Sequence, residues 1–180
     1  MSIYTKKGDR GQTGLPGDRR LAKTDQLFET LGTFDQTSAL IGLAVSMLDA
    51  KNKVLAKDFQ DIQSTFLSLG ACLASERSVT EPILNELPAK TAELEARIDR
   101  WDELLPPLRN FILAGGTPAA AALHTARVSV RAAERHYHRL PAELIFTSMS
   151  QYLNRLSDYF FQAARFINHQ AGTSDITWRS

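Results

Sequence analysis

From Thr24 onward the chain is written in steps of three and four. Leu27, Phe28, Leu31, Phe34, Thr37, Leu40, Ile41, Ala44, Val45 and Leu48 predict an amphipathic helix, capped by Thr24 or Asp25 and running to about Asp49. Gly32 and Gly42 lie inside it, and since each costs about 1 kcal/mol against alanine, both predict close packing on a neighbour. A second helix is expected from about Lys53 to Ser75 on the stripe Leu55, Phe59, Ile62, Phe66, Leu69 and Leu73, and the short link makes the first helix its partner. Glu76 to Pro88 holds Pro82, Pro88 and several polar residues and reads as an exposed excursion. The pattern resumes from Ala89 to Leu105 through Leu94, Ile98 and Trp101, and Pro106-Pro107 stops it. After the apolar run Phe111 to Ala114 and two glycines, Thr117 caps a fourth helix with Pro118 at its first position. That helix runs on Ala121, Leu123, Val130, Ala133, Tyr137 and Leu140 until Pro141 ends it. A fifth, from about Ala142 to Gln170, carries Ile145, Met149, Tyr152, Leu156, Tyr159, Ala163 and Phe166, with Gly172 after it as a stop. No segment alternates like a strand for long, so the chain reads as an all-α bundle of five helices.

Composition narrows the partners. A chain of 180 residues is one domain large enough to bury a core, divided here into an N-terminal loop (1–23), a helical bundle (24–170) and a tail (171–180). The formal charge of +1 argues against a general nucleic-acid binder, so any basic site is local. Cys72 is the one cysteine. It excludes an intrachain disulfide and a cysteine-based metal cluster, and its apolar surroundings predict a buried, inert thiol. No apolar stretch approaches a membrane span and no secretory pattern opens the chain, so the expectation is a cytoplasmic protein with no membrane partner.

Three regions carry candidate chemistry. Thr5 to Gly17 reads T-K-K-G-D-R-G-Q-T-G-L-P-G, a loop whose glycines let backbone amides turn outward and whose lysines add charge for an anion. It matches neither the Walker A nor the dinucleotide fingerprint, and a plain glycine-rich arm is the competing reading. On the fourth helix Arg127, Arg131 and Arg135 stack at a spacing of four, with His124 and His138 beyond them and Glu134 alongside. A solvated face can carry such charges, but this stripe flanks the apolar one, and arginine favours bidentate contact with carboxylate or phosphate. On the fifth helix Asn154, Arg155, Asp158 and Arg165 sit among aromatic residues; Arg155 can pair with Asp158, and the group is either a core network or turned to a ligand. The four histidines have no metal-site spacing, and neither a Ser-His-Asp constellation nor a Glu-x-x-His motif occurs.

The blocks I-Y-T-K-K-G-D-R-G-Q-T, G-T-F-D at Asp35, F-I-L-A-G-G-T at Phe111, R-A-A-E-R at Arg131 and N-R-L-S-D-Y-F-F at Asn154 together resemble the PduO-type ATP:cob(I)alamin adenosyltransferases, in matching order from Ile3 to about Arg165. The resemblance implies a ferritin-like five-helix bundle with an N-terminal nucleotide loop that orders on binding. It also implies a homotrimer with sites between subunits, and transfer of the adenosyl group of ATP to cobalt with release of triphosphate. ATP, Mg²⁺ and cob(I)alamin are the small molecules it implies, and a corrin reductase and a B12-dependent acceptor enzyme the protein partners. Carried over, Thr5, Lys6, Lys7, Gly8, Thr13, Gly14 and Lys23 would hold the nucleotide. Arg131, Ala132, Ala133, Glu134, Arg135 and Asn154 would complete its site from the next subunit, with no direct protein ligand to a metal. Asp35 and Arg127 match a pair that bridges subunits beside the corrin, and Phe111 would press on the lower cobalt face. The family commonly has D-E-L where this chain has Asp35, Gln36 and Thr37, and an arginine at Ala132; both departures are expected on the corrin side and the subunit contact. They motivate a competing reading, a non-catalytic binding or regulatory protein on the same bundle. A plain helical interaction protein with solvated charges is the third.

Overall fold

The computed structural model describes Tyr4, Lys6 and residues 8–17, 19–75 and 81–178. Among these, five α-helices form the body: α1 (Gln26–Ser46), α2 (Lys53–Ala74), α3 (Glu81–Leu104), α4 (Pro118–Tyr137) and α5 (Thr147–Gln170). A small antiparallel hairpin precedes them, β1 (Gln12–Gly14) and β2 (Arg20–Ala22), in the register Gln12 to Ala22 and Gly14 to Arg20. Helix α4 is the centre of the bundle, packed on α1 along one side and on α5 along another, while α2 covers α1 and α3 covers α5.

Capping sets two of the helix starts. The Asp25 carboxylate accepts from the Leu27 amide at 2.9 Å, and the Thr117 hydroxyl accepts from the Ala120 amide at 3.3 Å with Pro118 following it. Between the helices Phe34 and Phe66 meet edge to face at 5.3 Å, and Trp101 reaches Tyr159 at 5.1 Å. Phe59, Phe66 and Phe160 are fully buried, each stabilising the fold by about 2–3 kcal/mol relative to exposure. Most polar side chains inside the bundle are satisfied, His124 Nδ1 and Arg127 Nε being exceptions among the described residues. Thr37, fully buried on α1, donates to the Thr33 carbonyl at 2.7 Å and pairs with the Ser129 hydroxyl of α4 at 2.8 Å.

Several boundaries differ from the sequence reading. Residues 76–80 of the expected excursion lie outside the described ones, but from Glu81 the chain is already helical, eight residues before Ala89. Pro82 falls in the first turn, where its missing amide hydrogen is no loss. Pro88 sits inside α3 with its ring exposed, next to the fully buried Leu87 that anchors this turn. Helix α1 stops at Ser46, before Asp49, and α4 at Tyr137, before Leu140. Residues 142–144 form a separate short turn ahead of α5, which begins at Thr147. Of the two glycines in α1, Gly42 is indeed crowded, a Cβ there meeting Gln63 Nε2 at 3.1 Å; Gly32 is exposed and meets nothing, so its expected packing is not found. The hairpin went unseen because strands of three residues are too short to display alternation.

Candidate functional site

Helix α4 presents its basic residues unevenly. Arg127 is half-buried, and its Nε lies out of solvent with no hydrogen-bond partner among the described residues. Burial, and after it the like charge of Arg131 one turn on, lowers the Arg127 pKa, although a guanidinium stays charged at any ordinary pH. Arg131 is exposed, and no ion pair involves Arg109, Arg127 or Arg131 among the described residues. These three line a cavity of about 1140 Å³ with Phe111, Phe161 and Trp178. Phe111 is 82% exposed, an apolar ring held out over a basic wall. Asp158, at the rim of the same cavity, is occupied by Arg155 at 3.1 Å, which also binds Glu95 at 2.9 Å. Positive charge is thus left over.

Other candidate residues lie elsewhere. Asn154 Nδ2 donates to Glu134 Oε1 at 3.0 Å across α4 and α5, and the two line a second cleft of about 540 Å³ with His138 and Arg155. Asn154 is therefore tied to Glu134, while Arg155 pairs with Asp158 as the sequence allowed. Arg135 is exposed and its guanidinium turns back to the Arg131 carbonyl at 2.9 Å. Ala132 is half-buried; Ala133 is fully buried, its methyl group packed in the core with no surface open to a ligand in the single chain. Asp35 is exposed on α1, and no ion pair joins it to Arg127 within the chain among the described residues.

The glycine-rich stretch is not a plain arm over its described part. Gly8 lies beside Lys23, whose Nζ is 3.3 Å from where a Gly8 Cβ would stand, and the Lys23 amide donates to the Gly11 carbonyl at 2.8 Å. Thr13 pairs with Leu21 in the hairpin, Gly14 with Arg20, and Leu15 is buried. Lys6 and Lys23 are exposed; Thr5 and Lys7 lie outside the described residues. No hairpin residue lines either the cavity at Phe111 or the cleft at Glu134.

Comparison with known proteins settles the lineage. The sequence pattern described as Cobalamin adenosyltransferase matches residues 3–167. The chain belongs to the cobalamin adenosyltransferase family. It is 40% identical to the corrinoid adenosyltransferase of Bacillus subtilis (strain 168), with 99% of this chain and 92% of that one covered. It is 38% identical to the corrinoid adenosyltransferase PduO of Citrobacter freundii, covering 98% of this chain and 52% of that one. In fold it matches a variant of the PduO-type ATP:corrinoid adenosyltransferase from Lactobacillus reuteri complexed with cobalamin and ATP, with a TM-score of 0.92, 34% identity, and 99% and 97% of the two chains covered. Against the family pattern, Thr37 is now accounted for: it faces Ser129 inside the bundle and presents nothing to a ligand, whereas Gln36 is exposed. The sequence reading missed Arg109, Phe161 and Trp178. Trp178, in a tail given no role, had no periodicity to announce it.

Proposed function

We propose that this enzyme transfers the 5′-deoxyadenosyl group of ATP to cob(I)alamin, giving adenosylcobalamin and triphosphate, with the reaction centred on the cavity between Phe111 and the α4 arginines. The observation that carries the reading is the pair Arg127 and Arg131, without an ion-pair partner among the described residues, lining one cavity with an exposed aromatic ring in a chain of this family. Two electrons on Co(I) form the bond to the ribose 5′ carbon, and the pair of the breaking carbon–oxygen bond leaves with triphosphate. So reactive a nucleophile needs no activated serine or cysteine and no acid–base dyad. What the chain supplies is alignment and a sink for the departing charge.

Arg131 serves as that sink. Glu134 and Asn154 hold the nucleotide from the second cleft, Arg135 reaches it from the exposed face beside Glu134, and Ala132 keeps that stretch of α4 slim. Lys6, Gly8, Thr13, Gly14 and Lys23, together with Thr5 and Lys7, wrap the phosphates from a neighbouring copy in a homotrimer. Support for the shared site comes from the hairpin, which lines neither cavity of its own chain. Asp35 of a neighbouring copy answers the unpartnered Arg127 Nε, a buried donor whose isolation costs about 1–3 kcal/mol. Phe111 presses on the lower face of cobalt, keeping water and other axial ligands away. Mg²⁺ would be held by the triphosphate oxygens of the nucleotide, where it would help neutralise the departing charge; among the described residues no group of three His, Cys, Asp or Glu side chains could hold a metal. A reductase that supplies Co(I) and a B12-dependent acceptor of the product are the protein partners this chemistry calls for. No described helix is long and apolar enough to cross a membrane, in keeping with a cytoplasmic site of action.

The test follows product formation spectroscopically with ATP and chemically reduced cobalamin. Arg131→Ala should lower kcat/KM for ATP by about 10²–10³-fold, the scale of a lost charge-stabilising donor. Phe111→Ala should lower kcat and leave the KM for ATP within about twofold, because its contact is made to the other substrate. ATP binding without any adenosylcobalamin would favour the non-catalytic reading, and equal loss of ATP affinity in both variants would overturn the division of labour.

A further inference from the structure

Phe111 is held in place from behind. Its ring is almost free of protein contact at 82% exposure, so its position depends on its backbone, and that backbone is paired to the C-terminal tail. The Trp178 amide donates to the Phe111 carbonyl at 2.8 Å, the Leu113 amide donates to the Ile176 carbonyl at 2.8 Å, and Ile112 faces Thr177 in an antiparallel bridge. A two-stranded ribbon this short is not stable by itself. It is anchored at Asp175, whose carboxylate accepts from Arg165 Nε at 2.8 Å. Arg165 is 3% exposed, an unusual depth for arginine, and each of its nitrogens is engaged: a second donates to Gln162 Oε1 at 3.0 Å, and the third to the Pro106 carbonyl at 2.7 Å. One side chain therefore joins α5, the start of the segment that carries Phe111, and the tail that pairs with it. The far end of the segment is fixed separately, by Asn168 binding Gly115 at 3.1 Å and the Thr117 amide at 2.9 Å.

We propose that Asp175 and Arg165 are positioning residues for the cobalt step, clamping the tail so that it fixes the backbone from Phe111 to Leu113, while Arg165 holds the start of the segment at Pro106. This inference rests on the reading of Phe111 as the group that presses on the lower cobalt face. A mere structural pair would lower stability and disturb both substrates alike. A positioning pair acts on the corrin and spares ATP, because Arg165 and Asp175 line neither the cavity with Arg131 nor the cleft with Glu134, and what they hold is the Phe111 segment.

The test loads the whole protein with cob(II)alamin and ATP and reads the fraction of cobalt that has lost its lower axial ligand, by electron paramagnetic resonance. Phe111→Ala, Asp175→Asn, Asp175→Glu and a chain ending at Ser174 are compared with wild type. Asp175→Asn should lower that fraction at least about fivefold while the KM for ATP stays within about twofold, the shortened chain should lower the fraction at least as far, and Asp175→Glu should restore much of it. A wild-type fraction in both Asp175→Asn and the shortened chain, with Phe111→Ala impaired, overturns the clamp alone. A wild-type fraction in Phe111→Ala overturns the reading of Phe111 and the clamp with it. Parallel loss of thermal stability and ATP affinity with the fraction unchanged would reduce the pair to a structural tie.

Discussion

His124 and Arg127 share one face of α4 and show how burial sets what a charged residue can do there. The imidazole is 4% exposed and its Nδ1 has no partner among the described residues. Burial first, and the charge of Arg127 second, hold its pKa below the ordinary 6.5, against the opposing pull of Asp175 from the tail. The unfolded chain therefore takes up a proton below pH 6.5 that the folded chain refuses. Stability from this residue is unchanged above that pH and falls as the pH drops from there toward the folded pKa. Urea midpoints measured between pH 7.5 and 5.5 should fall more steeply for wild type than for His124→Gln, and equal slopes would remove His124 from the account. Gly116 is the other position where a single residue is decisive. Its φ is +101°, and a Cβ there would stand 2.2 Å from the Asn168 side chain. Gly116→Ala should destabilise by about 2–4 kcal/mol, from backbone strain and from displacement of the amide that binds Gly115 and Thr117; calorimetry checks it.

At the scale of the helices, α3 makes a prediction against its own sequence. Pro88 removes one helical hydrogen bond inside α3 and crowds the carbonyl four residues back, yet the helix runs through it because Leu87, Leu94 and Trp101 are buried along its inner face. Replacing the exposed proline should relieve part of that burden: Pro88→Ala is expected to stabilise by about 1–2 kcal/mol, the helical gain less the lost rigidity of the unfolded chain. An unchanged or lower melting temperature would contradict this. The same helix marks where sequence reading stopped. The start of α4 was legible in Thr117-Pro118, and the inner stripes of α1, α2 and α5 in their periodicity, because local chemistry specifies them. Helix α3 was read eight residues short because tertiary burial overrode a local breaker. The hairpin and the tail pairing were missed because their hydrogen bonds join short segments with little pattern of their own, Ile112 to Thr177 lying far apart in the chain. The arginine stripe was visible as spacing; that Arg127 and Arg131 share a cavity with Phe111, while Glu134 turns to Asn154, depended on how α4 seats against its neighbours.

For the whole molecule, the proposed site draws its loop from one chain and its basic helix from another, an arrangement that mixing can expose. Lys23→Ala and Arg131→Ala should each be poorly active alone. Co-refolded in equal amounts, they should regain activity, since in a ring of head-to-tail contacts about a quarter of the sites would receive both intact halves. No recovery would mean that loop and helix serve the same chain's site. Such an assembly also demands that every copy be cut to the same gauge. Gln26 donates to the His136 carbonyl at 3.0 Å, and Thr37 meets Ser129 at 2.8 Å, so α1 is pegged to α4 at two heights. Sliding one helix by a turn would strand the buried Thr37 and Ser129 hydroxyls. The hairpin that opens α1 is thereby delivered at a set elevation relative to the guanidiniums, and the copies of the proposed trimer can dock without any of them having to be adjusted.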